Sequence, residues 1–182
     1  MTDAFARDRL QPALLDRLID EEPSSKVEAL EARAISKSKL RASVLRDLSW
    51  LLNATASLPD DLDPESFAHV FASTLNYGMP PLSGTLVSKV ELRELERAIR
   101  EAILIFEPRI LPASLVVRGI EPDDPLGHHN IISFEIQAQL WAQPYPLELL
   151  LKTDLDLETG MVALLDGSGN PFAGSATGTW SR

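Results

Sequence analysis

Hydrophobic residues recur every three or four positions over the first 110 residues, and at every second position in several later segments. The first spacing predicts amphipathic helices, and the second predicts strands with one buried face. Helices before strands, without alternation, indicate an α+β fold rather than a doubly wound parallel sheet. We therefore expect N-terminal helices and one long amphipathic helix, packed on a small, mainly antiparallel sheet from the C-terminal half.

The most strongly patterned segment is residues 88–110, which predicts one long helix. Ser88 and Glu91 have the spacing of a capping box, in which each side chain accepts the backbone N–H of the other. Six residues at helical spacing form the apolar face of this helix, namely Leu92, Leu95, Ile99, Ala102, Ile103 and Phe106.

The end of the long helix carries a charged tripeptide. Pro108 disfavours the helical conformation at Glu107, so the helix is predicted to end there. Glu107 and Arg109 are then fixed just beyond a buried apolar stripe, which suits recognition of a partner better than it suits catalysis. The simpler interpretation, also open, is an exposed ion pair that has no partner and contributes about 0–1 kcal/mol.

Three shorter helices are predicted before the long one. Residues 9–19 carry leucines on one side, and an acidic segment that contains Pro23 separates them from the rest. Residues 38–52 have a longer apolar stripe, and Asp63 is expected to cap a third helix with Pro64 at its first position. The expected buried stripes are Leu40, Val44, Leu45, Leu48, Leu51 and Leu52 in the second helix, and Phe67, Val70, Phe71 and Leu75 in the third.

Four segments in the second half predict strands. Residues 115–117 form a short β-branched run that ends at Gly119, and residues 132–140 and 147–153 alternate between apolar and polar side chains. Residues 161–165 follow a turn at Thr159 and Gly160, so an extended antiparallel hairpin is expected. The predicted organisation is an N-terminal helix and linker (1–22), a single α+β domain (23–165) and a flexible tail (166–182).

Composition and charge argue against nucleic-acid binding, membrane insertion and secretion. The chain has 182 residues, a net charge of −10 and no cysteine. Such a negative field repels phosphate backbones, so no nucleic-acid partner is expected. No segment approaches the roughly 20 apolar residues that span a bilayer, so no membrane insertion is expected. The charged N-terminus lacks the features of a secretory signal, which favours the bacterial cytoplasm.

Glycoside hydrolysis is one enzymatic activity against which the residues can be tested. It needs two carboxylates about 5–10 Å apart, one of which acts as a general acid with a raised pKa. Glu107 is the obvious acid and Glu135 its possible mate. Arg109, however, would keep Glu107 ionised, which is the opposite of what a general acid needs. We therefore expect no enzymatic activity and no small-molecule substrate.

No motif predicts a metal or a cofactor. His128 and His129 are adjacent, and no third ligand lies at helical or strand spacing near them. Residues 154–160 resemble a calcium loop, but the glycine comes one place late and leucines fill positions that need polar residues. Phosphate- and dinucleotide-binding motifs are absent from the sequence.

Short motifs form a collinear series that includes SKSKL at 36–40, LNYGMP at 75–80, FEPRI at 106–110 and LDLETG at 155–160. This series is similar to the TssE family, the small baseplate subunits of bacterial type VI secretion systems. The family is related to a wedge protein of contractile-tailed phages and carries a lysozyme-like label. The resemblance covers residues 9–165, and residues 166–182 match none of it.

The resemblance implies a structural baseplate component in the cytoplasm, within a membrane-docked machine. It would join the wedge complex and start polymerisation of the contractile sheath, with sheath subunits and wedge proteins as partners. The family's Glu-Pro-Arg motif implies that the sheath-binding residues are Glu107, Pro108 and Arg109. We hypothesise that the N-terminal helix docks onto the wedge through Leu10, Leu14, Arg17 and Leu18. A peptidoglycan-cleaving lysozyme-like hydrolase and a generic interaction domain of another complex remain as alternatives.

Overall fold

The computed structural model describes residues 12–18, 35–59, 61–63, 65–81, 89–120 and 131–166. The helices are α1 (Leu14–Leu18), α2 (Lys37–Asn53), α3 (Ala68–Phe71) and α4 (Lys89–Phe106), with single 3₁₀ turns at Thr74–Asn76 and Pro112–Ser114. The strands are β1 (Val116–Ile120), β2 (Ile131–Leu140), β3 (Leu147–Asp156) and β4 (Val162–Asp166). Across these residues, none of the helices combines the length and the apolar character needed to cross a bilayer.

The four strands form one antiparallel sheet in the order β1-β2-β3-β4. The longest pairing joins β2 to β3, from Ile131 opposite Asp156 to Leu140 opposite Leu147. Gly160, with a φ of 71°, makes the turn between β3 and β4, because glycine adopts the left-handed conformation without steric cost. The predicted hairpin and its extension are confirmed.

The core lies between one face of this sheet and the helices α2 and α4. In β2 every second residue from Ile132 to Leu140 is buried, which confirms the predicted alternation. All six predicted stripe residues of the second helix are buried, and Ile103 of α4 is fully buried. Contacts place α4 beside β1 and α2 beside β4. The α+β class, with helices packed on the sheet, is therefore confirmed.

The third helix is shorter than predicted, and its predicted buried stripe is wrong. Asp63 accepts hydrogen bonds from the backbone amides of Glu65 and Ser66. A helix of only four residues, Ala68–Phe71, then follows, and none of its residues is buried. Phe67 is 48% exposed and Leu75 is 74% exposed. Because α2 and α4 already cover the sheet, this segment has no apolar surface to stabilise a longer helix.

The ends of the other predicted helices are partly described. The long helix ends at Phe106, as predicted, but Ser88 and its capping box lie outside the described residues. Within the predicted helix 9–19 the described helical residues are Leu14–Leu18, and Leu10 lies outside them. Asn53, predicted as the C-cap of the second helix, is its last helical residue, and Ala54 takes the cap position.

Candidate functional site

The segment after α4 is fixed to the end of β2. The amide of Glu107 completes the last helical hydrogen bond, to the carbonyl of Ile103. Two residues later the carbonyl of Arg109 accepts the amide of Trp141 at 2.7 Å, and the amide of Leu111 donates to Gln139 at 2.8 Å. The backbone on both sides of Pro108 is therefore held by a helix at one end and a strand at the other.

The side chain of Arg109 binds three side chains. Its Nε and Nη2 donate to the two carboxylate oxygens of Glu107 at 2.6 and 2.5 Å. Nη2 also donates to Asp47 at 2.6 Å, and Nη1 donates to the hydroxyl of Ser43 at 3.0 Å. Burial of the guanidinium lowers the pKa of Arg109, but Glu107 and Asp47 outweigh that effect and raise its pKa above the usual value. The two-pronged pairing with Glu107 fixes the plane of the guanidinium.

The two charged groups of the tripeptide differ in exposure. The Glu107 side chain is 4% exposed, whereas that of Arg109 is 23% exposed. The interpretation of the pair as an exposed ion bridge is therefore wrong, because Arg109 and the core enclose Glu107. Of the tripeptide, Pro108 and part of Arg109 reach the surface.

The same network extends to the N-terminal helix. Arg46 donates from Nε to Asp47 at 2.9 Å and from Nη1 to Asp16 at 2.5 Å. The hydroxyl of Ser43 donates to the other carboxylate oxygen of Asp16 at 2.8 Å. Three carboxylates and two guanidinium groups thus alternate in sign from Asp16 to Glu107, which leaves a net charge of −1. We call this set of six side chains, Asp16, Ser43, Arg46, Asp47, Glu107 and Arg109, the polar network.

The sequence pattern did not predict the members of the polar network that lie on α2 and α1. Ser43, Arg46 and Asp47 have the i, i+3, i+4 spacing that places side chains on one helical face. That spacing is visible in the sequence next to the leucine stripe. It does not reveal a partner, because Arg109 lies 62 residues from Asp47 along the chain.

The N-terminal helix turns its leucines away from the domain. Leu14 and Leu18 are each 73% exposed, and Arg17 is exposed as well. Asp16 faces the domain instead. Partial burial raises the pKa of Asp16, but hydrogen bonds from Arg46 and Ser43 more than offset this and lower it below its ordinary value of 3.8. The helix is therefore held by a polar contact, and three of the four predicted wedge-binding residues, Leu14, Arg17 and Leu18, are exposed.

The LNYGMP segment, residues 75–80, packs against the end of α2 and the end of α4, beside the polar network. Gly78 has a φ of +128°, and a Cβ there would lie 2.4 Å from the carbonyl oxygen of Ala54. Only glycine therefore allows this close approach to the end of α2. Tyr77 packs edge-on against Phe106 at 5.2 Å between ring centroids. Burial, with Asp47 and Glu107 nearby, raises the pKa of Tyr77.

The geometry does not assemble the hydrolytic pair that the sequence suggested. Glu107 lies on the helix side of the sheet, paired with Arg109. Glu135 alternates with the core residues Phe134 and Ile136, so it faces the opposite side. The two carboxylates therefore do not share a cleft. His128 and His129 lie outside the described residues, and within the described part of the chain no three His, Asp or Glu side chains are placed to bind a metal.

Comparisons with known proteins identify one family. A model of the family described as "Baseplate wedge protein gp25" matches residues 38–145, which is more than half of the chain. The matched range contains Ser43, Asp47, Glu107 and Arg109, but neither α1 nor β4. A solved chain from "The baseplate complex from the type VI secretion system" is 22% identical, with a TM-score of 0.44, covering 64% of this chain and 93% of that chain. No curated protein matches the chain.

Proposed function

This chain belongs to the family of the baseplate wedge protein gp25, and from that premise we propose how it works within a baseplate. The family is one of structural baseplate components. In the proposal the chain belongs to a type VI secretion machine, in the bacterial cytoplasm at a membrane-docked baseplate. There it joins the wedge complex and starts polymerisation of the sheath. The motif series over residues 9–165 supports the type VI assignment.

The observation that carries the proposal is the way in which Arg109 is held. Four of its five side-chain N–H groups donate to Glu107, Asp47 and Ser43, which leaves one on Nη1 without a partner among the described residues. A guanidinium fixed in this way loses little conformational entropy when it binds. Its exposed part, beside the exposed ring of Pro108, is therefore well suited to meet a carboxylate or carbonyl of a sheath subunit.

The three motif residues take different roles in this proposal. Arg109 and Pro108 make the contact with the sheath subunit. Glu107, which is buried, acts through Arg109 by setting the plane and position of the guanidinium. Asp47 and Ser43 hold the other side of the same group.

Strand addition is the second element of the proposed mechanism. A sheath subunit contributes an extended segment to an edge of the sheet, where main-chain hydrogen bonds give affinity and fix the alignment. Arg109 would then add a charged contact near the end of β2. In this proposal the chain offers the first ring of sheath subunits the same strand-pairing surface that one ring of sheath subunits offers to the next.

The N-terminal helix serves the wedge in this proposal. Leu14 and Leu18 lie on the exposed side of α1, while Asp16 on the other side attaches the helix to the domain. We propose that these leucines, with Arg17 and the preceding Leu10, pack against a wedge protein. The domain would then have one surface for the wedge and another for the sheath.

Imaging of a fluorescent sheath in living cells tests the proposed function. Cells carry Arg109→Ala or Glu107→Gln in place of the native chain, and the expected result is normal wedge incorporation with few or no sheaths. Arg97→Ala and Glu101→Ala are matched controls, because they disrupt an exposed Arg–Glu ion pair within α4, the helix that precedes the motif. Sheath numbers equal to the native level in cells that lack this chain would falsify the proposed role. Normal sheath numbers in the Arg109→Ala cells would show that Arg109 is not a sheath-binding residue.

A further inference from the structure

The sheet has two outer edges, and a helix side chain binds the backbone at each. In β1 the outward-facing amide of Gly119 donates to the carboxylate of Glu96 at 2.6 Å. In β4 the outward-facing amide of Val162 donates to the side-chain oxygen of Asn53 at 2.9 Å. An incoming strand needs such outward groups, so these contacts decide where it can pair.

The β1 edge is closed by α4. Gly119 lies directly beside the side chain of Leu92, and a Cβ at Gly119 would approach Leu92 to 2.6 Å. Glu96, from the next turn of the same helix, binds the amide of Gly119. A strand could add here only if it displaced a carboxylate from its hydrogen bond and moved the packed helix.

The β4 edge is bound at one residue only among those described. The side-chain amide of Asn53 donates to the carbonyl of Val162 and accepts its amide, both at 2.9 Å. This pair of bonds reproduces what a residue of a neighbouring strand would make. A further bond to the carbonyl of Ser49, at 2.8 Å, fixes the Asn53 side chain against its own helix.

Beyond Val162 the same edge offers more backbone groups. Leu164 and Asp166 have the same orientation as Val162, since outward-facing groups alternate along a strand. No described residue pairs with the outward groups of Leu164 or Asp166. The Leu164 side chain is 1% exposed, so the core holds this part of the strand in place.

We propose that β4 is the edge that accepts the extended segment of a sheath subunit, and that Asn53 sets its alignment. Asn53 keeps its bonds to Val162 and blocks pairing there, so the incoming strand pairs with Leu164 and Asp166. The inference rests on the proposed function for the identity of the partner. Asn53 is a positioning residue, because it acts by excluding wrong alignments.

Hydrogen exchange at residue resolution tests the inference with the full chain, alone and with purified sheath subunits. In the free protein the amide of Val162 is expected to be protected and that of Leu164 to exchange freely. Binding should protect Leu164 and leave Gly119 unchanged. In Asn53→Ala the free-state exchange of Val162 should rise about fivefold, which corresponds to the loss of one hydrogen bond.

Several outcomes would overturn the inference and leave the proposed function intact. Protection that appears at Val117 and not at Leu164 would identify β1 as the accepting edge. A Leu164 amide already protected in the free chain would mean that the chain's own residues cover the edge. A failure of native protein to bind sheath subunits at all would instead overturn the proposed function together with this inference.

A matched pair of variants tests the role of Asn53 in cells. Asn53→Ala removes the side chain that blocks the β4 edge, and Glu96→Ala removes its counterpart on β1. We expect Asn53→Ala to lower the number of sheaths and to extend bound-state protection to Val162, while Glu96→Ala leaves sheath numbers unchanged. If Asn53→Ala does not fold, Asn53→Asp keeps the acceptor for the Val162 amide. Equal effects of the Asn53 and Glu96 variants would overturn the inference.

Discussion

Helices α1 and α4 both carry an apolar stripe in the sequence, yet they attach to the domain in opposite ways. Helix α4 buries Ile99, Ala102 and Ile103 against the sheet. Helix α1 exposes Leu14 and Leu18, and its carboxylate Asp16 makes the attachment instead. An apolar stripe therefore identifies a surface that requires a partner, but it does not say whether that partner belongs to the same chain.

Removing one apolar side chain from each helix should give the largest difference between them. Ile103→Ala leaves a cavity in the core, so we expect a loss of about 2–5 kcal/mol in the free energy of unfolding. Leu14→Ala, the matched control, should change it by less than about 0.5 kcal/mol. Chemical denaturation measures both. Similar losses in the two variants would show that α1 is packed into the domain.

The next largest effect concerns the buried charge at the end of α4. Glu107→Gln removes the carboxylate that pairs with Arg109 in a largely buried setting, so we expect a loss of about 2–4 kcal/mol. Glu101→Gln changes an exposed pair and should cost less than about 1 kcal/mol. Thermal unfolding of the two variants makes the comparison, and equal melting temperatures would contradict the structural role of Glu107.

Deletion of residues 1–20 tests how much α1 contributes to stability. Because α1 buries no leucine of its own, the remaining chain should still unfold cooperatively, with a loss of about 1 kcal/mol from the contacts of Asp16. Circular dichroism during denaturation gives the result. A broad or uncooperative transition would show that α1 is part of the core.

The smallest effect is a dependence of α1 attachment on pH. The pKa of Asp16 in the folded chain is lower than its ordinary value of 3.8. Its contact is therefore fully stabilising above that ordinary value, and the contribution is lost as the pH falls through the folded-state pKa. Arg46 lies 5.2 Å from the Trp50 ring, so Trp50 fluorescence should report the release.

An Asp16→Asn variant is the control for this acid transition. The pKa values of Asp63 and Asp156 are lowered too, by the hydrogen bonds from Ser66 and from the backbone of Glu158, respectively. The variant keeps both of these groups and loses only the titration at Asp16. An unchanged acid response of Trp50 fluorescence in Asp16→Asn would therefore remove Asp16 as its cause.

The fold could be predicted where a segment has a regular hydrophobic pattern and also packs into the core. The alternation in β2 and the stripe of α2 are both local patterns, and both were predicted correctly. The stripe of residues 67–75 had the same form, but α2 and α4 already occupied the sheet, and no periodicity contains that information. Competition between segments for one surface is a property of the assembled fold.

The candidate site was predictable only in part, for a related reason. The end of α4 at Glu107 follows from the conformational restriction that Pro108 imposes. The burial of Glu107 depends on Asp47 and Ser43 holding Arg109 over it, and those residues come from a different helix. Polar contacts between distant segments leave no period in the sequence, so the burial of Glu107 could not be predicted from it.

The attachments of α2 to the sheet have a consequence for the order of folding. Arg41 binds the carbonyl of Glu148, 107 residues away, and Asn53 binds Val162, 109 residues away. The strands, in contrast, each pair with the next one along the chain, and contacts that close short loops form first. We expect the sheet to form with α4, and α2 to dock afterwards. Since Ser43 and Asp47 arrive with α2, Arg109 is fully held only in a chain that has finished folding, so an incompletely folded chain cannot present the complete site to the machine.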